Sequence, residues 1–270
     1  MGPRGAGTRR IFVVAASIGL ALGVNARADY GGGTSAPPGP PAADVTANGN
    51  AVYDQAHLSF KPENVAVAVG QAVRWTNTDP VVPHTVTEDH GLFDLAGTYG
   101  MTPANPAGFA PGTSVQRDFE AGTFSYHCRV HGAAAMHGTV AVPVTLTLGS
   151  APAAYRAAVA FKKVKRHRRG GQKRGPKGKP NPAPTPPGMT PGRLIHAVWA
   201  SAPPASGLAF DVQFRQNGGD WQVLRADSSQ IAADLPGAPA GTLVEVRARV
   251  KKAGDANAAS DWSPQASVTA

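Results

Sequence analysis

Residues 126–140 read YHCRVHGAAAMHGTV and contain the chain's single cysteine, Cys128, together with His131 and Met136. Thiolate and thioether are soft donors that suit Cu(I), and imidazole suits both copper oxidation states. Two imidazoles and a thiolate in a trigonal set, with a long axial thioether, form a blue copper centre. Cys128, His131 three residues later and Met136 five beyond that are spaced so that a loop between two adjacent strands can fold them around one ion. A short loop cannot enclose the ion alone, so the fourth donor must come from elsewhere. His84, in the stretch DPVVPHTVT, lies 44 residues upstream at the opening of a strand and is the candidate. A lone Cys or Met is ordinarily core filler; their joint occurrence with two histidines is what points to a metal. Zinc accepts Cys and His but has little use for a thioether.

The elements that must position these donors are strands. From Asp44 to Leu148 the sequence alternates in short runs, NVAVAVG, AVRWTN with Val73 and Trp75 on one face, HTVT, SVQRDF, GTFSYHC and GTVAVPVTL, with Gly or Pro between them. Seven or eight short strands in that length predict a small β-sandwich. The stretch from Ala96 to Gly112 reads as irregular surface. His127 precedes Cys128 in its strand and is expected on the opposite side. It reads as a surface residue, as do His90 and His137.

The runs AVRWTNTDPVVPHTVTED, FAPGTSVQRDFEAGTFSYHC and HGAAAMHGTVAV, and the pattern Tyr126-x-Cys128-x-x-His131-x-x-x-x-Met136-x-Gly138-x-Val140, resemble the small cupredoxins of the plastocyanin and azurin class over residues 44–144. The resemblance implies a Greek-key β-sandwich holding one type 1 copper per chain. It assigns His84, Cys128, His131 and Met136 as the ligands. It also implies that the N–H of Thr85 bonds to the thiolate, and that electrons pass through the edge of His131 to a transient redox partner docking on Gly132–Ala135. Copper nitrite reductases and multicopper oxidases, where a His beside the type 1 Cys binds a second copper, need further histidines. Arg129 stands where a His-Cys-His run would need one, so no enzyme activity is expected. Copper storage or delivery without redox traffic, and envelope adhesion, are the alternative functions.

The remaining chain sets the context. Residues 1–28 combine an Arg-rich start, the apolar run IFVVAASIGLALGV and Ala26-Arg27-Ala28, which predicts a secretory signal peptide cleaved after Ala28. Its apolar run is too short to span a bilayer, and no later stretch is long and apolar enough. The product is expected to be exported: periplasmic, cell-surface or extracellular. Arg9-Arg10 leaves a twin-arginine route open beside the general one. Residues 29–43 are a Gly/Pro spacer.

The formal charge of +9 is unevenly placed. Lys162 to Lys179 carries ten Lys/Arg and no acid, whereas residues 44–148 carry four basic and nine acidic side chains, a net of −5. Residues 149–191 read as a disordered basic linker, with a short basic amphipathic helix over 155–166. It is a solvated tether or a contact to an anionic cell-envelope surface. Nucleic acid is not expected as a partner after export. Residues 192–270 alternate again in LAFDVQFR, WQVL and LVEVRARV. With Trp199 early and SDWSP near the end, they resemble a fibronectin type III domain, although Leu243 or Val244 stands where that family carries a Tyr. The predicted architecture is all-β: two sandwiches, the second immunoglobulin-like.

Overall fold

The computed structural model describes residues 40–50, 54–97, 99, 107–149 and 193–270. The signal peptide expected over residues 1–28, most of the expected spacer, the basic run and the helix expected over 155–166 lie outside the described residues. Among the described residues there are strands and no helix, as the alternating pattern demands.

The first nine strands are β1 (Ala43–Asn50), β2 (Asp54–Lys61), β3 (Asn64–Ala66), β4 (Ala72–Asn77), β5 (Val86–Glu88), β6 (Asp94–Leu95), β7 (Ser114–Asp118), β8 (Gly122–His127) and β9 (His137–Val142). They build two sheets, ordered β2-β1-β4-β7 and β3-β9-β8-β5-β6. β1 runs parallel to β4 and β3 parallel to β9; β8 pairs antiparallel with both β5 and β9. The two-residue period of a strand sorts the side chains. In β8, Gly122, Phe124 and Tyr126 face inward while Thr123, Ser125 and His127 face outward. In β4, Val73 and Trp75 are both fully buried, as the sequence pattern predicts. An aromatic core follows: Tyr126 meets Trp75 with ring centroids 5.5 Å apart and Phe60 at 5.0 Å, both edge-on, the orientation that ring quadrupoles favour. The run NVAVAVG is a strand only over Asn64–Ala66. Beyond it, Gln71 N–H donates to the Ala68 carbonyl and Ala68 N–H to Gln71 Oε1, which closes a turn before β4.

The remaining strands are β10 (Thr145–Gly149), β11 (Arg193–Val198), β12 (Leu208–Gln216), β13 (Gln222–Ser228), β14 (Ala232–Ala238), β15 (Leu243–Lys252), β16 (Asp255–Ala259) and β17 (Ala266–Thr269). One sheet is β10-β11-β14; the other is β13-β12-β15-β16, with β17 also on β15. Trp199, Ile195, Phe210 and Leu235 are buried in this second unit. On its outer face the guanidinium of Arg215 lies 4.5 Å from the Trp221 ring, Arg247 lies between Trp221 (4.1 Å) and Trp262 (4.6 Å), and Arg249 covers Trp262 at 4.8 Å. This is a continuous cation–π stack.

Strand pairing places the boundary between the units earlier than the sequence pattern does. GTVAVPVTL reads as one run of the first sandwich, but Pro143, which has no N–H to give to a ladder, separates β9 from β10. β10 pairs with β11, from Thr145↔Val198 to Gly149↔Leu194. The basic run therefore leaves one strand at Gly149 and returns at Arg193 on the neighbouring strand of the same sheet. It is an excursion from the second sandwich and does not connect the two units. They are joined by Pro143–Val144 and by direct contact. Ala121 N–H donates to the Trp199 carbonyl (2.7 Å), Thr123 and Asp261 exchange backbone hydrogen bonds (3.1 and 3.0 Å), and the Thr123 hydroxyl donates to the Trp262 carbonyl (3.0 Å). Buried apolar residues of both units form one continuous cluster.

A shared core predicts shared cooperativity. Calorimetry of the whole chain is expected to give a single unfolding transition, which moves as a whole when a ligand binds the first sandwich. Two resolved transitions, only one of them ligand-sensitive, would contradict this coupling.

Candidate metal centre

Cys128 follows directly on β8 and is fully buried. Its sulfur is 3.4 Å from His131 Nδ1 and 3.7 Å from His84 Nδ1. The donor atoms of His84, Cys128 and His131 all lie within 4.8 Å of one another, and the two imidazole rings have centroids 4.9 Å apart. Met136 is fully buried. Its backbone carbonyl accepts the Cys128 N–H at 3.0 Å, so both ends of the loop are tied together.

The loop's own hydrogen bonds explain how three residues of one short stretch converge. The N–H groups of His131 and Gly132 both donate to the Cys128 carbonyl (3.2 and 2.8 Å), and those of Ala135 and Met136 both donate to the Gly132 carbonyl (each 3.1 Å). Two successive turns share Gly132, whose φ of +80° is the left-handed conformation that a residue without Cβ adopts at least cost. The first turn folds His131 back over Cys128; the second buries Met136.

His84 arrives from the other side. Its backbone pairs with Phe109 (2.8 and 3.3 Å), and its side chain is fully buried. A Cβ on Gly108 would stand 2.5 Å from the His84 carbonyl oxygen, so only glycine permits this approach. The next residue, Thr85, donates its N–H to the Cys128 sulfur at 3.4 Å and accepts the Arg129 N–H at 2.9 Å through its hydroxyl. The hydrogen bond expected from Thr85 to the Cys128 sulfur is therefore present.

Burial sets the protonation of the ligands. Desolvation, and then the nearby His131, push the His84 pKa down to about 4, with Asp79 pulling the other way. Burial also lowers His131, again opposed by Asp79. Burial raises the Cys128 thiol, against N–H groups of Thr85, Val130 and His131. The two histidines are thus held neutral, the form that binds a metal.

The chain from residue 47 to 143 matches the family model described as copper binding proteins, plastocyanin/azurin family. A plastocyanin from Scenedesmus fuscus is 32% identical over 90 residues, a match that spans 33% of this chain and 91% of that protein. The chain belongs to the plastocyanin/azurin family of copper-binding proteins. Among solved structures, a purple cupredoxin from Nitrosopumilus maritimus is 29% identical, covering 37% of this chain and 98% of that one, with a TM-score of 0.28. A mutant plastocyanin of fern is 21% identical over 37% of this chain and 98% of that one, with a TM-score of 0.27.

The donor chemistry of this cupredoxin fits the family's single copper: two neutral imidazole nitrogens and one thiol sulfur converge in a buried cluster, with a buried thioether on the same loop. Among the described residues no other group of three such donors converges. His127 points out and its Nδ1 is 2.6 Å from Asp89. His90 Nδ1 meets Glu88 at 3.1 Å. His137 bonds the Ala133 carbonyl at 2.9 Å and lies 3.2 Å from Glu63. The outward direction expected of His127 is the one observed.

Sequence patterns did not single out Phe109, Asn77 and Asp79. Phe109 lies in the stretch read as irregular surface, yet it is only 3% exposed and its ring centroid is 6.5 Å from that of His84. Asn77 donates from Nδ2 to the carbonyls of Val82 (2.9 Å) and Phe109 (3.0 Å), which holds together the two segments that carry His84. Asn-x-Asp-Pro ahead of a histidine was the available signal, because Asn and Asp commonly bond backbone two residues on.

Two outcomes follow. Gly132→Ala meets no neighbouring atom within 4 Å, so it is expected to cost backbone strain alone, about 1–2 kcal/mol, measured by denaturant unfolding of the metal-free protein. In that metal-free state the depressed His84 pKa makes the unfolded chain bind the extra proton first. Stability is therefore greatest above the unfolded value of 6.5 and falls as pH drops toward about 4, by on the order of 3 kcal/mol. A flat profile across that window would rule out a buried neutral His84.

Proposed function

We propose that this protein is an exported one-electron carrier that uses type 1 copper held by His84, Cys128, His131 and Met136. The observation that carries this reading is the convergence of the His84, Cys128 and His131 donors within 4.8 Å inside a sandwich, with Met136 buried on the same loop. Bound copper would supply a couple between Cu(I) and Cu(II). The protein's part is to hold the donors in one arrangement for both states, so that little moves when an electron arrives. The Cys128 sulfur is fixed by the Thr85 N–H, the Met136 loop by its two turns, and His84 by the Phe109 bridge.

Access is asymmetric. His84 is sealed, whereas His131 is half-buried and flanked by exposed Gly132, Ala133, Ala134 and Ala135. These small side chains let a redox partner come close to the His131 edge, in the brief, small contact that such exchange uses. The net charge of −5 over residues 44–148 favours a cationic partner. Four protein donors complete the set without a substrate position, so no catalytic role is proposed.

The second sandwich is read as fibronectin type III-like. Support comes from its three-stranded sheet β10-β11-β14 against the sheet of β13, β12, β15, β16 and β17, and from the buried Trp199. The basic excursion between β10 and β11 is read as a tether or a contact for an anionic envelope surface.

The test is an optical spectrum of the protein with Cu(II) and then with ascorbate. An intense visible thiolate-to-copper band that bleaches on reduction and is absent in Cys128→Ser is expected. Stoichiometric copper without that band would favour storage or delivery; no copper binding would overturn the site.

A further inference from the structure

His84 presents its two ring nitrogens to different surroundings. Nδ1 faces the Cys128 sulfur. Nε2 lies 3.7 Å from Asp79 Oδ2, and both side chains are fully buried. Neither atom has a hydrogen-bond partner in the structure. Two orphaned, complementary atoms face each other in a site where leaving a polar group unpaired is costly.

The rest of Asp79 explains why its carboxylate is aimed there. Oδ1 accepts the N–H groups of Val81 and Val82, both at 2.9 Å. The Asp79 N–H donates to Asn77 Oδ1 at 2.9 Å. Asn77 is itself tied to Val82 and Phe109. One carboxylate oxygen is thus committed to capping the turn that precedes Pro83 and His84, and the other is left over, pointed at the ring.

An imidazole that gives Nδ1 to a metal carries its proton on Nε2 and needs an acceptor there. A carboxylate in that role fixes the tautomer and raises the basicity of the ligand. The separation of 3.7 Å is longer than a hydrogen bond, so the bond requires the ring and the carboxylate to draw together when Nδ1 takes a metal. We propose that Asp79 is a positioning residue for the copper centre: its Oδ2 accepts the His84 Nε2–H, locks the ring with Nδ1 toward Cys128, and biases the site toward Cu(II), which lowers the reduction potential. This inference rests on the reading of the cluster as a copper site.

The test uses Asp79→Asn, which keeps an oxygen to cap Val81 and Val82 but can turn a donor toward Nε2, with Asp79→Ala beside it. Asp44→Asn is the control, since it removes the same charge from an exposed ion pair with Arg74. Three readouts are taken. In the Asp79 variants the reduction potential is expected to rise and Cu(II) affinity to fall by roughly 10- to 100-fold, with a smaller loss for Cu(I). In nitrogen-resolved NMR of the Cu(I) protein, the His84 Nε2–H is expected to be sharp, downfield and slow to exchange in the native chain, and to move upfield and exchange faster in both variants as its acceptor is removed. Asp44→Asn is expected to change none of these.

An unchanged potential and an unchanged Nε2–H signal in folded Asp79→Asn would overturn the proposal. An equal shift in Asp44→Asn would reduce the effect to net charge and overturn it also. If the native protein binds no copper, the copper reading fails by itself, and the His84 tautomer in the metal-free protein still decides. A tautomer unaffected by Asp79→Asn would sink the positioning role.

Discussion

The structure turns on the fully buried Cys128 sulfur, placed within reach of two imidazole nitrogens and one backbone N–H. The alternation of β8 sends Tyr126 into the core and His127 to solvent, so Cys128, one residue on, falls inward just as the strand ends. Everything that positions the site is attached to that endpoint. β5 brings Thr85 alongside, the loop to β9 folds His131 and Met136 over the sulfur, and β9 returns in register with β8.

Burial works in two directions at this site. It keeps His84 and His131 neutral and ready to bind, but it also raises the thiol, whose useful form is the thiolate. The N–H groups aimed at Cys128 partly offset that cost, and a bound cation would offset the rest. The metal-free protein therefore holds its donors in an arrangement that burial alone does not favour. The frame that enforces it consists of side chains which never touch the sulfur: Asn77 tying two segments together, Asp79 capping a turn, and Phe109 closing the floor under His84.

The second sandwich is not appended by a long tether. Its first strand, β10, follows β9 after two residues, and its Trp199 carbonyl, Asp261 backbone and Trp262 carbonyl bond to Ala121 and Thr123 at the start of β8. The strand that delivers Cys128 at one end is thus gripped by the second sandwich at the other. The two strands that flank the basic run, β10 and β11, pair with each other in the second sandwich.

The sequence by itself determined the all-β character and the inward and outward faces of β4 and β8, and it singled out His84, Cys128, His131 and Met136 as candidate donors. Each of these rests on strand periodicity or on rare residue types at short spacing, which are local properties. His84, far from the others in sequence, is a candidate because the chemistry requires a fourth donor. Tertiary structure alone decided that β10 crosses to the second sandwich, that Phe109 is buried and not surface, and that Asp79 spends one oxygen on a turn and aims the other at His84. Those outcomes depend on which edge is left open for pairing and on which buried polar atom lacks a partner. Both are set by the packing of segments distant in the chain, and no periodicity within one segment records them.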